Sequence, residues 1–244
     1  MFGVRITAGK RGGEDGEKPF WISFADLMTA LMVLFLFVMS VALLAMTKTV
    51  TEVTKTVTEA ERKKEEREQQ IQNLLSRLED TTAKYLGVHV DKSRAVIEFG
   101  DRARFDSGKS QLSPEQGRYL REYAPAVLEI ARDELGQKWL KRIVVEGFAD
   151  QSGDYLLNLN LSLQRGQRVL CALLAPGAGD EAHLSDPDRS QVRDLFLVGG
   201  YSFNSAKATP EESRRIELRL EFYGLDEEHA PGVVRASEFG VCRI

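Results

Sequence analysis

Residues 20–46 read FWISFADLMTALMVLFLFVMSVALLAM, an apolar run whose one ionisable side chain is Asp26. As a helix at 1.5 Å per residue it is roughly 40 Å long. That exceeds the ~30 Å hydrocarbon core of a bilayer, so the segment can span with some tilt. A bare carboxylate at that depth costs at least a few kcal/mol, and residues of this kind face a partner and serve ion or proton pathways. A cleaved signal peptide would need a shorter apolar core and a small-x-small site. Here the run is too long, no A-x-A site ends it, and Asp26 would sit in its apolar core. The expectation is an uncleaved anchor.

Arg5, Lys10, Arg11 and Lys18 precede the span, while Lys48 and Lys55 follow it. This bias favours a cytoplasmic amino terminus, with Trp21 as an anchor at that interface. The bulk of the chain then lies outside an inner membrane, in a periplasm. The net charge of −4 has no concentrated basic face, which argues against direct nucleic-acid binding. Cys171 and Cys242 fall on the outer side, where disulfides persist. They are either one bond stapling the tail to the main domain or two unrelated buried thiols. The three histidines are scattered without ligand spacing, so no metal site is expected.

After the span, TKTVTEV is followed by TKTVTEA. Val50, Val53, Val57 and Ala60 take the 3-4 spacing of a coiled-coil seam, which continues through Lys64 and Arg67 to Ile71, Leu74, Leu78 and Tyr85. A parallel two-stranded coil explains the pattern. A single solvated helix is the alternative, because the middle of the seam is charged. A dimer would bring two copies of Asp26 into one assembly.

From about Val88 the pattern is globular. Strands are expected at 94–99, 143–149, 195–199 and 215–222, and helices at 114–131 and 156–174, the first opened by Ser113 as N-cap and Pro114 at N1. Residues 175–189, rich in Pro, Gly and Asp, read as a loop, and 224–244 as an irregular tail. The alternation fits one small mixed domain.

The stretch EGFADQSGDYLLNLNLSLQRGQRVLCALL resembles the core of OmpA-like peptidoglycan-binding domains, with Gly147, Asp150, Gly153, Asn158, Leu161, Ser162, Arg165 and Val169 at matching offsets. Phe105-Asp106-Ser107-Gly108, Gly199-Gly200-Tyr201 and Arg214-Arg215-Ile216-Glu217 match further blocks of that family. Phe148, Ala149, Leu157, Gly166 and Ser213 depart from its pattern but leave the two charge-bearing positions intact. The resemblance implies a site for the diaminopimelate of the peptidoglycan stem peptide, which offers an ammonium and a carboxylate together. Asp150 would hold the ammonium and Arg165 would grip a carboxylate bidentately. Asn158 and Leu161 would complete the cleft. The competing reading is that Asp150 and Arg165 form only a structural ion pair.

Trp21, Phe24-Ala25-Asp26, Leu27-Met28-Thr29 and Leu31-Met32 resemble the signature of the B subunits of flagellar stator units. The resemblance implies that Asp26 carries the translocated ion; the sequence does not choose between H+ and Na+, and H+ is the working expectation. The resemblance also implies a B dimer inside a pentamer of multi-span, MotA-like A subunits. Ser23, Ala30 and Val33 lie near the Asp26 face, and Thr29 is placed to hydrogen-bond the carboxyl or a hydrated ion.

A short polar heptad helix stands where flagellar B subunits carry a plug and long linker. That layout looks most like the B components of Zorya anti-phage defence systems, in which ion flow is thought to signal to cytoplasmic effectors. The expected architecture is α+β: a cytoplasmic segment (1–19), a transmembrane helix (20–46), a helical coiled-coil connector (47–86), an OmpA-like βαβαββ periplasmic domain (87–223) and a tail (224–244). A defence motor, a flagellar-type stator and a passive envelope tether are the three readings. Catalysis is not expected, since the chain has no P-loop, no G-x-S-x-G and no nucleophile pairing, and no cofactor is implied.

Overall fold

The computed structural model describes residues 20–175, 183–227, 239–240 and 242, the first four by backbone alone. The basic residues before the span, and the Trp21 and Ser23 side chains, lie outside the described residues. A helix, α1 (Phe20–Thr82), carries the apolar run and the heptads. Among the described residues it is the one helix long and apolar enough to cross a membrane. The chain divides into two compact units between Glu61 and Arg62, inside α1.

In the first unit the apolar side chains from Phe24 to Val57 are exposed, as a surface awaiting lipid or another chain would be. The heptad threonines turn their hydroxyls back onto the helix. Thr47, Thr51, Thr54 and Thr58, for instance, donate to the carbonyls of Leu44, Thr47, Val50 and Thr54 at 2.8–3.0 Å. Val50, Val53 and Val57 stay about half exposed.

The second unit is built on a five-stranded sheet, with strands β1 (His89–Asp91), β2 (Val96–Glu98), β3 (Leu140–Gly147), β4 (Phe196–Gly200) and β5 (Ile216–Phe222). The order is β1-β2-β5-β3-β4, with β3 and β4 parallel and the other pairs antiparallel. Between the strands come α2 (Pro114–Arg132), α3 (Glu134–Trp139), α4 (Tyr155–Leu174), α5 (Asp186–Leu195) and α6 (Pro210–Ser213). Alternation in β5 buries Ile216, Leu218 and Leu220 in the core, and Ile143 and Val145 of β3 join them. Helix α4 is the crossover that a parallel β3/β4 pair requires, and it packs on both strands and on α2. At the start of α2 Ser113 closes a full capping box with Gln116, the cap its sequence announces.

Three expectations are corrected. Strand β1 adds a hairpin partner ahead of the first expected strand, held by Asp91, whose carboxylate accepts from the Ser93 and Arg94 amides. Residues 186–189, read as loop, open α5. Ser185 caps the Asp188 amide, and Pro187 stands in the first turn, where its missing N–H costs nothing. The distal heptads also have another partner. Ile71, Leu74 and Leu78, joined by Leu75, are buried in the core of their own unit, and Tyr85 stacks edge-on against Tyr123 at 4.9 Å. An apolar stripe at 3-4 spacing looks the same whether it meets a second chain or its own domain.

Polar contacts fix this part of α1 as well. Arg67 Nε donates to the Tyr223 carbonyl at 2.9 Å, Trp139 Nε1 to Gln70 Oε1 at 2.8 Å, and Thr82 shares a buried hydrogen bond with Tyr123.

Candidate functional site

In the first unit Asp26 is exposed on α1 and lines a shallow groove with Thr29, Ala30, Val33, Leu34 and Phe37. The Thr29 hydroxyl donates to the main-chain carbonyl of Asp26 at 2.9 Å, so it is turned away from the carboxyl it was expected to serve.

In the second unit the site grows from the β3–α4 turn. Gly147 ends β3, and a Cβ there would lie 1.9 Å from the Ser162 carbonyl, so only glycine lets strand and helix approach this closely. Gly153, at φ +94°, makes the turn that delivers Asp154 as N-cap, its side chain accepting from the Leu157 amide at 2.8 Å. Asn158, buried one turn later, donates from Nδ2 to the Ser152 carbonyl at 2.8 Å and so shapes the loop that carries Asp150. Leu161 is half-buried on the same helix.

Asp150 and Arg165 do converge on this loop, but each has a different partner from the one expected. Asp150 Oδ2 accepts from Arg214 Nη1 at 2.8 Å, and Oδ1 accepts from the Ser152 amide at 3.0 Å. Burial works to raise the Asp150 carboxyl, but Arg214 and Ser152 outweigh it and hold it below the usual carboxylate value.

Arg165 is fully buried. Its Nε, Nη1 and Nη2 donate to the carbonyls of Lys109, Phe148 and Asp106 at 3.0, 2.6 and 3.2 Å, and its guanidinium lies 5.1 Å from the centre of the Phe105 ring. Burial pushes it down to about 10, opposed by the charge of Asp150.

Arg214 is the partner of Asp150 that the sequence reading did not place at the candidate site. It bridges Asp150, Glu211 and the Phe105 carbonyl. The signal was present in the Arg214-Arg215-Ile216-Glu217 block, but nothing local ties that block to Asp150.

Cys171, on α4, and Cys242 are joined in a disulfide with Cα atoms 5.9 Å apart. Phe239, in the same tail, lies under the Arg189 guanidinium at 4.3 Å.

The Zorya protein ZorB of Escherichia coli O139:H28 is 44% identical over 231 residues, covering 93% of this chain and 90% of that protein. The chain belongs to the ZorB family. Residues 6–59 of this ZorB-family chain also match the family described as membrane MotB of the proton-channel complex MotA/MotB. Among solved structures, the periplasmic domain of Helicobacter pylori MotB aligns at 14% identity with a TM-score of 0.39, over 54% of this chain and 75% of that one. The cell wall anchor of the type VI secretion system from Pseudomonas aeruginosa aligns at 22% identity with a TM-score of 0.40, over 61% of this chain and 97% of that one.

Proposed function

We propose that this ZorB-family chain is the B subunit of an ion-driven motor in the bacterial inner membrane, anchored to peptidoglycan and acting in anti-phage defence. The observation that carries the reading is Asp26, the one ionisable group in the span, in a chain of the ZorB family whose amino-terminal part also matches membrane MotB. A lone carboxylate in lipid needs polar partners from other helices. The partners proposed are a second copy of this chain and a surrounding pentamer of multi-span, MotA-like subunits. Protons are the translocated ion in this reading, and their flow rotates the A subunits and signals to cytoplasmic effectors.

The amino terminus lies in the cytoplasm and the sheet-bearing unit in the periplasm. The Cys171–Cys242 bond supports that orientation, because disulfides persist in an oxidising compartment. There Asp150 takes the ammonium of diaminopimelate and Arg165 its carboxylate, with Asn158 and Leu161 completing the cleft. Asp150 is held on this loop by Arg214 and the Ser152 amide, which keep its carboxyl charged for that ammonium.

The test is plating efficiency of a phage panel on cells carrying the native operon, with Asp26 intact or as Asp26→Asn at equal expression. Protection by the wild type and none by the variant is the expected result. Equal protection by both would leave Asp26 a structural residue and favour a passive tether.

A further inference from the structure

We propose that β4 is the strand through which the sheet-bearing units of two copies of this chain join, edge to edge across a two-fold axis. The proposal names a surface for the second copy in the motor reading above and rests on that reading.

Strand β4 closes one end of the sheet and, among the described residues, pairs with β3 alone. Tyr201 donates its amide to the Gly147 carbonyl at 3.1 Å, so by strand alternation Leu197 and Gly199 also turn their N–H and C=O groups toward β3. Phe196, Val198 and Gly200 turn theirs outward. The Phe196 amide is taken up by the Val192 carbonyl at the end of α5. The Val198 and Gly200 amides and the carbonyls of all three residues therefore face out along the edge.

Such a row is a template for another strand, and edges are ordinarily blunted by shortness, charge, proline or a bulge. The opposite end of this sheet is blunted in that way. Strand β1 is three residues long, ends in Asp91 and is followed by Lys92. The sequence of β4, FLVGG, carries none of these devices. Apolar side chains also flank the bare edge on both faces. Phe196 points into the core, so Leu197 (45% exposed) and Tyr201 (37%) stand on the opposite face. On the core side Leu163 of α4 is 41% exposed, and a Cβ at Gly200 would lie 2.6 Å from its Cγ.

The strand is complementary to itself. Set antiparallel on a second copy with Val198 at the axis, it places Phe196 opposite Gly200 and Leu197 opposite Gly199, so that each large side chain meets a glycine. Leu197 then lies diagonally against the other copy's Tyr201, whose ring borders Gly199. In this register Val198 exchanges both backbone bonds with its counterpart, and Gly200 donates to the other Phe196 carbonyl, which satisfies the outward amides. Centred one residue earlier, Gly200 would face Asp194 of α5 and lose its partner. The contact is isologous, as a two-fold dimer requires. It is also small, but in the motor reading α1 tethers both copies to one assembly, and linked sites meet at effective concentrations on the order of millimolar.

The experiment uses the full-length chain, co-expressed with its partner subunit in membranes, with single cysteines added and a short thiol-to-thiol cross-linker. Val198→Cys tests the edge, where paired Cα atoms come within about 5.5 Å. His89→Cys marks the other end of the sheet, and Val53→Cys reports a second copy through the first unit. The expected result is a Val198→Cys dimer at ten times the His89→Cys yield or more. Adding Leu197→Lys should cut the Val198→Cys yield at least tenfold and leave that of Val53→Cys unchanged. A Val53→Cys dimer with no Val198→Cys dimer overturns the edge pairing and leaves the two-copy reading standing. Absence of both dimers removes the second copy, and the proposal with it. A Val198→Cys yield indifferent to Leu197→Lys also overturns it. Should Val198→Cys not accumulate, hydrogen exchange on the unsubstituted chain decides: slow exchange of the Val198 and Gly200 amides, lost in Leu197→Lys, is expected, and fast exchange in both chains overturns the proposal.

Discussion

Glu146 and Glu217 sit in the two central strands with almost no exposed surface, and each is met by an arginine. Arg219 reaches Glu146 through Nε at 2.5 Å and Nη2 at 3.0 Å, and Arg215 Nε reaches Glu217 at 2.6 Å. Removing one partner of such a pair strands a buried charge, so Arg219→Ala should destabilise the sheet-bearing unit by on the order of 3 kcal/mol. The double variant Glu146→Gln with Arg219→Met should recover most of that, read by urea unfolding. Recovery of nothing would mean the pair is not what the substitution disturbs.

The acidic side chains also predict a pH dependence. Asp91, held low by Ser93 and Arg94, Asp188, held low by Ser185 and Arg132, and Asp150 all have folded values below their unfolded ones. Their contribution is therefore complete above the ordinary carboxylate value near pH 4 and is lost as pH falls through the depressed values. The melting temperature of the unit should hold from about pH 7 to 5 and fall steadily below about 4. A flat profile to pH 2 would contradict it.

At this scale the sequence was informative where spacing is local. Asp150, Asn158 and Arg165 lie on one turn and the helix that follows it, so their convergence could be read. The partner of Asp150 could not, because Arg214 is 64 residues away and the contact exists only once β5 has paired with β3.

Among the elements, α1 shows best what a periodic pattern can and cannot specify. Helix, span and heptads were legible, since each is a repeat within one segment. Which surface the distal heptads meet was not, and Ile71, Leu74, Leu75 and Leu78 turn out to complete the core of the sheet-bearing unit. Leu74→Ala should therefore cost that unit about 2–5 kcal/mol. A fragment beginning at Arg62 should also melt well above one beginning at Val88. Equal melting of the two fragments would return the distal heptads to the role of a free connector.

Helix α5 was missed for the opposite reason. A single proline in a polar stretch reads as a break, and only the Ser185 cap turns it into a helix start. The tail supplies a further test at this scale. The Cys171–Cys242 bond closes a loop across 71 positions of sequence, so replacing both cysteines with serine should lower stability by about 4 kcal/mol. Reduction of the wild type should lower its melting temperature to that of the variant, and an unshifted melt on reduction would show that the bond carries no such load.

For the whole molecule the division after Glu61 separates two chemistries. Asp26 belongs to the unit with the exposed apolar helix, and Asp150, paired with Arg214, to the unit built on the sheet. If the first moves ions and the second holds the wall, each can be broken without harming the other. Asp26→Asn should keep binding to isolated sacculi at the wild-type level, because the Asp150 loop is supported entirely from within its own unit. Asp150→Asn should lower sacculus binding by at least about tenfold, near 1.4 kcal/mol, while the membrane assembly with its partner subunit still forms. Neither variant should protect cells from phage, since a motor needs both a driving ion and a fixed part to push against. Sacculus pull-down, co-purification with the partner subunit and plating efficiency on the same strains read the three properties side by side. Full protection by Asp150→Asn with its wall binding gone would show that anchorage is dispensable. Loss of sacculus binding in Asp26→Asn would show that the two units do not act independently.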